Sequence, residues 1–157
     1  MTQLCLRNRQ RTRKIDLRLL RKITLGLLKE ILREPQFELG IHLVAAKEMA
    51  MVNENFLHHR GSTDVITFDY GQRAASMHLL HGEIFISIDD AVSQAKEFRA
   101  TWQSELIRYV VHGILHLKGF DDLLPSARHK MKREENRLLT ELSRRFTLSK
   151  LQRKLKK

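Results

Sequence analysis

Three residues in the second half of the chain have the types and spacing of a metal site: His112, His116 and Asp122, in the pattern H-x3-H-x5-D. Two imidazoles one helical turn apart can reach one ion, and a carboxylate arriving from the following turn adds an oxygen ligand. Three protein ligands leave one position for water, the pattern of a catalytic site, whereas a fourth would close it. The chemistry expected is metal-assisted cleavage, with either the metal-bound water or a hydroxyl of the substrate itself attacking while the metal acts as electrophile, and no side chain is assigned as general base. Zinc, one ion per chain, is the expected metal, with manganese or another divalent ion admitted by the Asp122 oxygen. The carboxylate lowers the formal charge of the loaded site by one unit relative to three neutral histidines, which predicts a more alkaline pH optimum. Gly113 stands where an H-E-x-x-H peptidase carries its glutamate base, so peptide hydrolysis is disfavoured.

The spacing works only if the segment is helical. Leu106, Val110, Ile114 and Leu117 recur at helical intervals and form one apolar stripe, which sets Glu105, Tyr109, His112 and His116 on a second. A helix over Trp102–Lys118 is predicted, ending at Gly119, where the chain can turn back and return Asp122. Other histidines fit less well. The tandem His58 and His59 lack a third partner at ligand spacing, His129 is separated from Asp122 by a turn and Pro125, and His42 is expected on a strand surface.

V-H-G-I-L-H-L-K-G-F-D at 111–121, T-D-V-I-T-F at 63–68 and G-E-I-F-I-S at 82–87 together resemble the YbeY family of bacterial metal-dependent endoribonucleases. The resemblance covers nearly the whole chain, from Asn8 to the helix containing Met131, Glu134 and Leu138. It implies a single-strand-specific endoribonuclease acting in ribosomal RNA processing and ribosome maturation, with ribosomal RNA and the small ribosomal subunit as partners. Two departures stand out. The family most often has histidine where this chain has Asp122, and its arginine upstream of the T-D-V segment aligns with Leu57, while Arg60 lies three residues on. Two alternatives stay open: a ribosome-associated RNA-binding protein with a structural metal, and a metal-dependent hydrolase of another substrate.

Charge points to RNA independently. The net charge is +11, yet residues 1–22 carry +7 and residues 144–157 carry another +7, so the span between them is slightly acidic. Such segments suit a polyanion, and Arg7, Arg9, Arg11, Arg13 and Lys14, with Arg60, are the expected RNA contacts. The last ten residues are expected to be disordered when free. With Phe146 the single aromatic residue in the two segments, neither pairs its charge with a set of bulky aromatic anchors, so a membrane surface is the weaker partner, and the absence of a secretory signal or apolar span makes the cytoplasm the default location. Cys5, the single cysteine, rules out an internal disulfide and is expected to pack inertly.

The periodicities predict an α+β fold: a single domain over 1–145, a small mixed sheet of about four strands covered by about five helices, a zincin-like metal helix, and a basic tail over 146–157. Strands are expected over Gln3–Asn8, Phe37–Ala46, Thr63–Tyr70 and Glu83–Asp89, with Thr63–Tyr70 inside the sheet because both its faces are apolar. Helices are expected over Ile15–Leu32, Lys47–Phe56, Ala91–Phe98 and Pro125 to Arg145, with Asp89 capping the third of them. Around the metal, Glu83 and Asp121 are the carboxylates expected to orient a ligand histidine. Glu135 is expected on a solvated, ion-paired face of the last helix.

Overall fold

The computed structural model describes residues 2–71 and 79–154. The chain runs β1 (Thr2–Asn8), α1 (Leu17–Leu25) with a π-helical turn over Gly26–Ile31, β2 (Phe37–Val44), α2 (Ala46–Leu57), β3 (Val65–Asp69), β4 (Leu80–Ser87), α3 (Ile88–Glu97), α4 (Trp102–Leu117), α5 (Pro125–Arg145) and a 3-10 turn (Leu148–Leu151). The strands form one sheet in the order β1-β2-β4-β3. β1, β2 and β4 are parallel, and β3 runs antiparallel to β4.

Strand alternation decides what each face of the sheet holds. Ile41 and Leu43 of β2 and Ile84 and Ile86 of β4 are fully buried in the main core with Leu106, Val110 and Ile114 of α4. α4 lies unusually close to β4. A Cβ at Gly113 would come within 2.7 Å of the Ile84 side chain, and one at Gly82 within 2.4 Å of the Phe68 carbonyl and 2.6 Å of Leu117. The second face is covered in part by α2, through a smaller cluster of Val44, Met49 and Ile66 with Phe68 and Phe85 against it. Its remainder is an open hollow of about 560 Å³ with Arg7, His42, Tyr70 and Glu83 in its wall.

Several expectations are corrected here. Thr63–Tyr70 yields an edge strand, β3, since it pairs only with β4; it is apolar on both faces because α4 covers one side and the α2 cluster the other. His42 is buried, 8% exposed, because its ring stacks on Phe85 with centroids 4.3 Å apart. Asp89 does not cap α3, since the Ser87 hydroxyl accepts from Asp90 N. Asp89 instead accepts from the Thr12 hydroxyl and, at 2.6 Å, from Ala46 N, the first amide of α2, whose own N-cap Ala45 has no side-chain acceptor. Cys5 lies on the exposed face of β1. The start of the tail is ordered: Leu151 is fully buried and Gln152 bridges Ile15. Among the described residues no helix is long and apolar enough to cross a membrane.

Candidate metal centre

α4 delivers the two histidines as its spacing requires. The Thr101 hydroxyl caps its N-terminus by accepting from Ser104 N, and the chain leaves through Gly119 at φ 102°, a left-handed conformation. Of the stripe Glu105, Tyr109, His112 and His116, the first two are buried at 7% and 4% exposure, so only the histidine end reaches solvent. Asp122 meets it from the following turn. His112 Nε2 lies 3.0 Å from His116 Nε2, and Asp122 Oδ2 lies 3.8 and 3.6 Å from the two. A tetrahedral ion with bonds of about 2.0–2.1 Å spaces its ligands by roughly 3.3 Å. These three side chains therefore have the separations of a group that could hold a metal ion.

Both imidazoles are fixed from behind. His112 Nδ1–H donates to Glu135 Oε2 at 3.0 Å, and His116 Nδ1–H donates to the Phe120 carbonyl at 3.1 Å. With a carboxylate and a carbonyl on the Nδ1 side, each ring turns an Nε2 lone pair toward the other and toward Asp122. Three acceptors so close repel one another unless a cation or a proton sits among them. Burial pushes the His112 pKa down, but the Glu135 hydrogen bond and charge, with Asp122 and Asp64, outweigh burial and leave it raised. The three ligand side chains are 27%, 27% and 41% exposed, so the centre is open on one side.

That side is a cleft of about 490 Å³ along β3. Leu57, Thr63, Asp64, Thr67 and Asp69 form much of its wall, and none of the described residues lining it is a lysine or arginine. Leu57, at the position aligned with the family arginine, lines the same cleft as His112, His116 and Asp122. Arg60 does not line the cleft and sits in the exposed loop after α2. Behind it, the Tyr109 hydroxyl is buried without a hydrogen-bond partner among the described residues, and burial, then Asp64, Glu105 and Asp90, push its pKa well up. Burial likewise raises Glu105, against the lowering effect of Arg108.

The other expected residues divide. Asp121 shapes the turn by accepting from Leu123 N at 2.7 Å and touches no ligand histidine. Glu83 points to the sheet face away from α4, because alternation along β4 gives the α4 side to Ile84 and Ile86. There it accepts from His42 Nε2–H at 3.0 Å and from the Tyr70 hydroxyl at 2.8 Å. Burial would raise the Glu83 pKa, but these hydrogen bonds and the nearby His42 and Arg7 hold it below the usual carboxylate range. Arg7 lines this hollow, and Arg9 is occupied by Glu48 at 2.9 Å and His42 Nδ1 at 3.4 Å. The Arg13 guanidinium donates to the Thr12 carbonyl, while Arg11 and Lys14 are exposed.

The residue the sequence did not single out is Glu135, whose other oxygen lies 3.6 Å from Arg108 Nη1. A signal for it existed: Met131, Glu135, Leu138 and Leu142 follow the helical repeat, so Glu135 shares the inward stripe of α5 with three buried residues.

The family model described as Endoribonuclease YbeY matches residues 5–143. Curated relatives carry the same description. One from Bacteroides thetaiotaomicron is 38% identical over 102 residues, covering 65% of this chain and 72% of its own. One from Phocaeicola vulgatus is 35% identical over 128 residues, covering 78% and 88%. A Thermotoga maritima protein solved in solution superposes with a TM-score of 0.69 at 22% identity over 94% of each chain, which supports the fold.

Proposed function

Because the chain belongs to the Endoribonuclease YbeY family, we propose that it is a metal-dependent endoribonuclease, that zinc is its resident ion, and that His112, His116 and Asp122 hold it. Its substrate in this proposal is single-stranded or loosely paired RNA, with ribosomal RNA on the small subunit, in the cytoplasm, as the target. The supporting observation is the convergence of two Nε2 lone pairs and a carboxylate oxygen at 3.0, 3.6 and 3.8 Å beside an open cleft. A bound divalent ion supplies Lewis acidity toward a phosphoryl oxygen and acidifies water.

The chain's own residues do the rest. Glu135 and the Phe120 carbonyl hold the Nδ1 protons and fix both rings before any ligand arrives. Asp122 brings a negative charge that softens the field of the site. The Leu57 side chain offers an apolar wall suited to an unstacked base, and the Thr63 and Thr67 hydroxyls offer hydrogen bonds. With Asp64, Asp69 and Asp122 in its wall and no lysine or arginine among its described lining residues, the cleft leaves much of the long-range attraction for a polyanion to other parts of the surface.

Three ligands with partly exposed side chains favour a catalytic over a purely structural ion. The test is His112→Ala: RNA cleavage is lost while RNA binding and the folded state persist. Retained cleavage overturns the proposal, and loss of the fold on removing the metal favours a structural ion.

A further inference from the structure

The described parts of the two basic segments, residues 2–22 and 144–154, are joined by backbone pairing. Ile15 bridges Gln152 in antiparallel register, Asp16 N–H donates to the Leu151 carbonyl at 2.9 Å, and Arg153 N–H donates to the Lys14 carbonyl at 2.9 Å. The pairing is anchored from within by Leu151, fully buried, and Ile15, 5% exposed. It sets Lys14 opposite Arg153, and like charges directly opposite on paired backbone cost stability. Arg11, Arg18, Lys150 and Lys154, close in sequence to one or other of the pair, are exposed. Asp16, the one acid among residues 1–22, turns its carboxylate to Leu19 N at 3.0 Å to cap α1. The fold thus crowds cations that self-repulsion would separate, and an external polyanion relieves the repulsion.

We propose that this joined surface, centred on Lys14, Arg18, Arg153 and Lys154, is an exosite that grips the phosphate backbone of RNA outside the cleft. The inference rests on RNA being the substrate. None of these residues lines the cleft, which follows β3; the chain leading to Lys14 passes the start of α3, where the Thr12 hydroxyl donates to Asp89. An RNA strand held at both places extends beyond the cleft, and the exosite supplies lysines and arginines that the described residues of the cleft wall do not. RNA fits better than a lipid surface. Among the described residues the exposed large apolar side chains, Phe56, Phe98 and Leu123 among them, all lie on other parts of the chain, so this face has no anchors to insert.

The test is titration of the full chain with fluorescent poly(U) RNA across about 50 to 200 mM salt. The triple variant Lys14→Gln/Arg153→Gln/Lys154→Gln is compared with Lys47→Gln/Lys96→Gln/Arg99→Gln, which removes equal charge from α2 and the end of α3. The first should flatten the slope of log affinity against log salt by roughly 2 and weaken low-salt binding on the order of 10- to 100-fold. The second should stay within about twofold. Leu151→Ala, which keeps every charge but removes the buried anchor, should weaken binding by an intermediate factor with the helical content retained. Equal losses in both triples overturn the exosite. So does a triple variant that loses binding to phosphatidylglycerol vesicles while holding poly(U) normally. If wild type binds poly(U) through these residues yet cleaves no RNA, the exosite stands and the proposed activity fails.

Discussion

Glu135 of α5 accepts a hydrogen bond from Nδ1 of His112 on α4 at 3.0 Å, across 23 residues of chain, and so fixes which nitrogen of that ring faces Asp122 and His116. Glu135→Ala frees the ring and its tautomer, and affinity for zinc should fall about 10- to 100-fold. Glu135→Gln retains an acceptor without the charge and should lose less. Competition with a chromophoric chelator measures both; equal affinities in wild type and the alanine variant would remove Glu135 from the account.

Asp122 is the chain's departure from the family's usual third histidine. Asp122→His exchanges a carboxylate for a neutral ring and strengthens the field of the loaded site, so the pH profile of RNA cleavage should move to lower pH. A profile that does not move contradicts the electrostatic argument while leaving the ligand assignment intact.

The closeness of α4 to β4 is a matter of two glycines. Gly113→Ala would normally favour a helix by up to about 1 kcal/mol. Here the new methyl meets two atoms of the fully buried Ile84 at 2.7 and 2.8 Å, so overpacking wins. The net cost should be about 1–3 kcal/mol. Gly82→Ala should cost more, because its nearest neighbour is the Phe68 backbone at 2.4 Å. Thermal melts give the ranking, and a Gly113→Ala variant as stable as wild type would show that α4 can lift off the sheet freely.

The Glu83 contacts give a pH prediction on the opposite face. Its folded pKa is lowered, so its hydrogen bonds to His42 and Tyr70 contribute stability above the ordinary glutamate pKa. That contribution disappears as pH falls through the lowered value. Glu83→Gln should therefore flatten the loss of stability below about pH 4.3, the ordinary glutamate pKa. The effect should be small, because the side chain is 38% exposed and water screens the charges. Denaturant melts between neutrality and acid pH would show it; an unchanged acid limb would place the linkage on other carboxylates.

Periodicity made much of this legible beforehand. The expected Pro125 to Arg145 helix coincides with α5, and the i, i+4 histidines, the Gly119 turn and Asp122 come together as their spacing demanded. What periodicity cannot show is which side of a two-sided apolar strand ends the sheet, and β3 was misplaced for that reason. Nor does charge interleaving along α5 distinguish a solvated glutamate from one held inward; Glu135 is separated from Arg137 by two positions yet faces the metal helix rather than water. His42 belonged to the same problem, since only tertiary stacking on Phe85 shows that a strand histidine is buried. The pairing of Lys14 with Arg153 runs against like-charge repulsion, and it is held by the burial of Leu151 and Ile15 and by backbone hydrogen bonds that charge patterning does not show.

The most direct measurement is cleavage of single-stranded RNA by wild type and His116→Ala, with divalent metal content determined on the same samples. Wild type should carry about one ion per chain and cleave, consistent with one three-ligand site. The variant should be folded, metal-depleted and inactive. Cleavage by the variant at the wild-type rate would contradict the account.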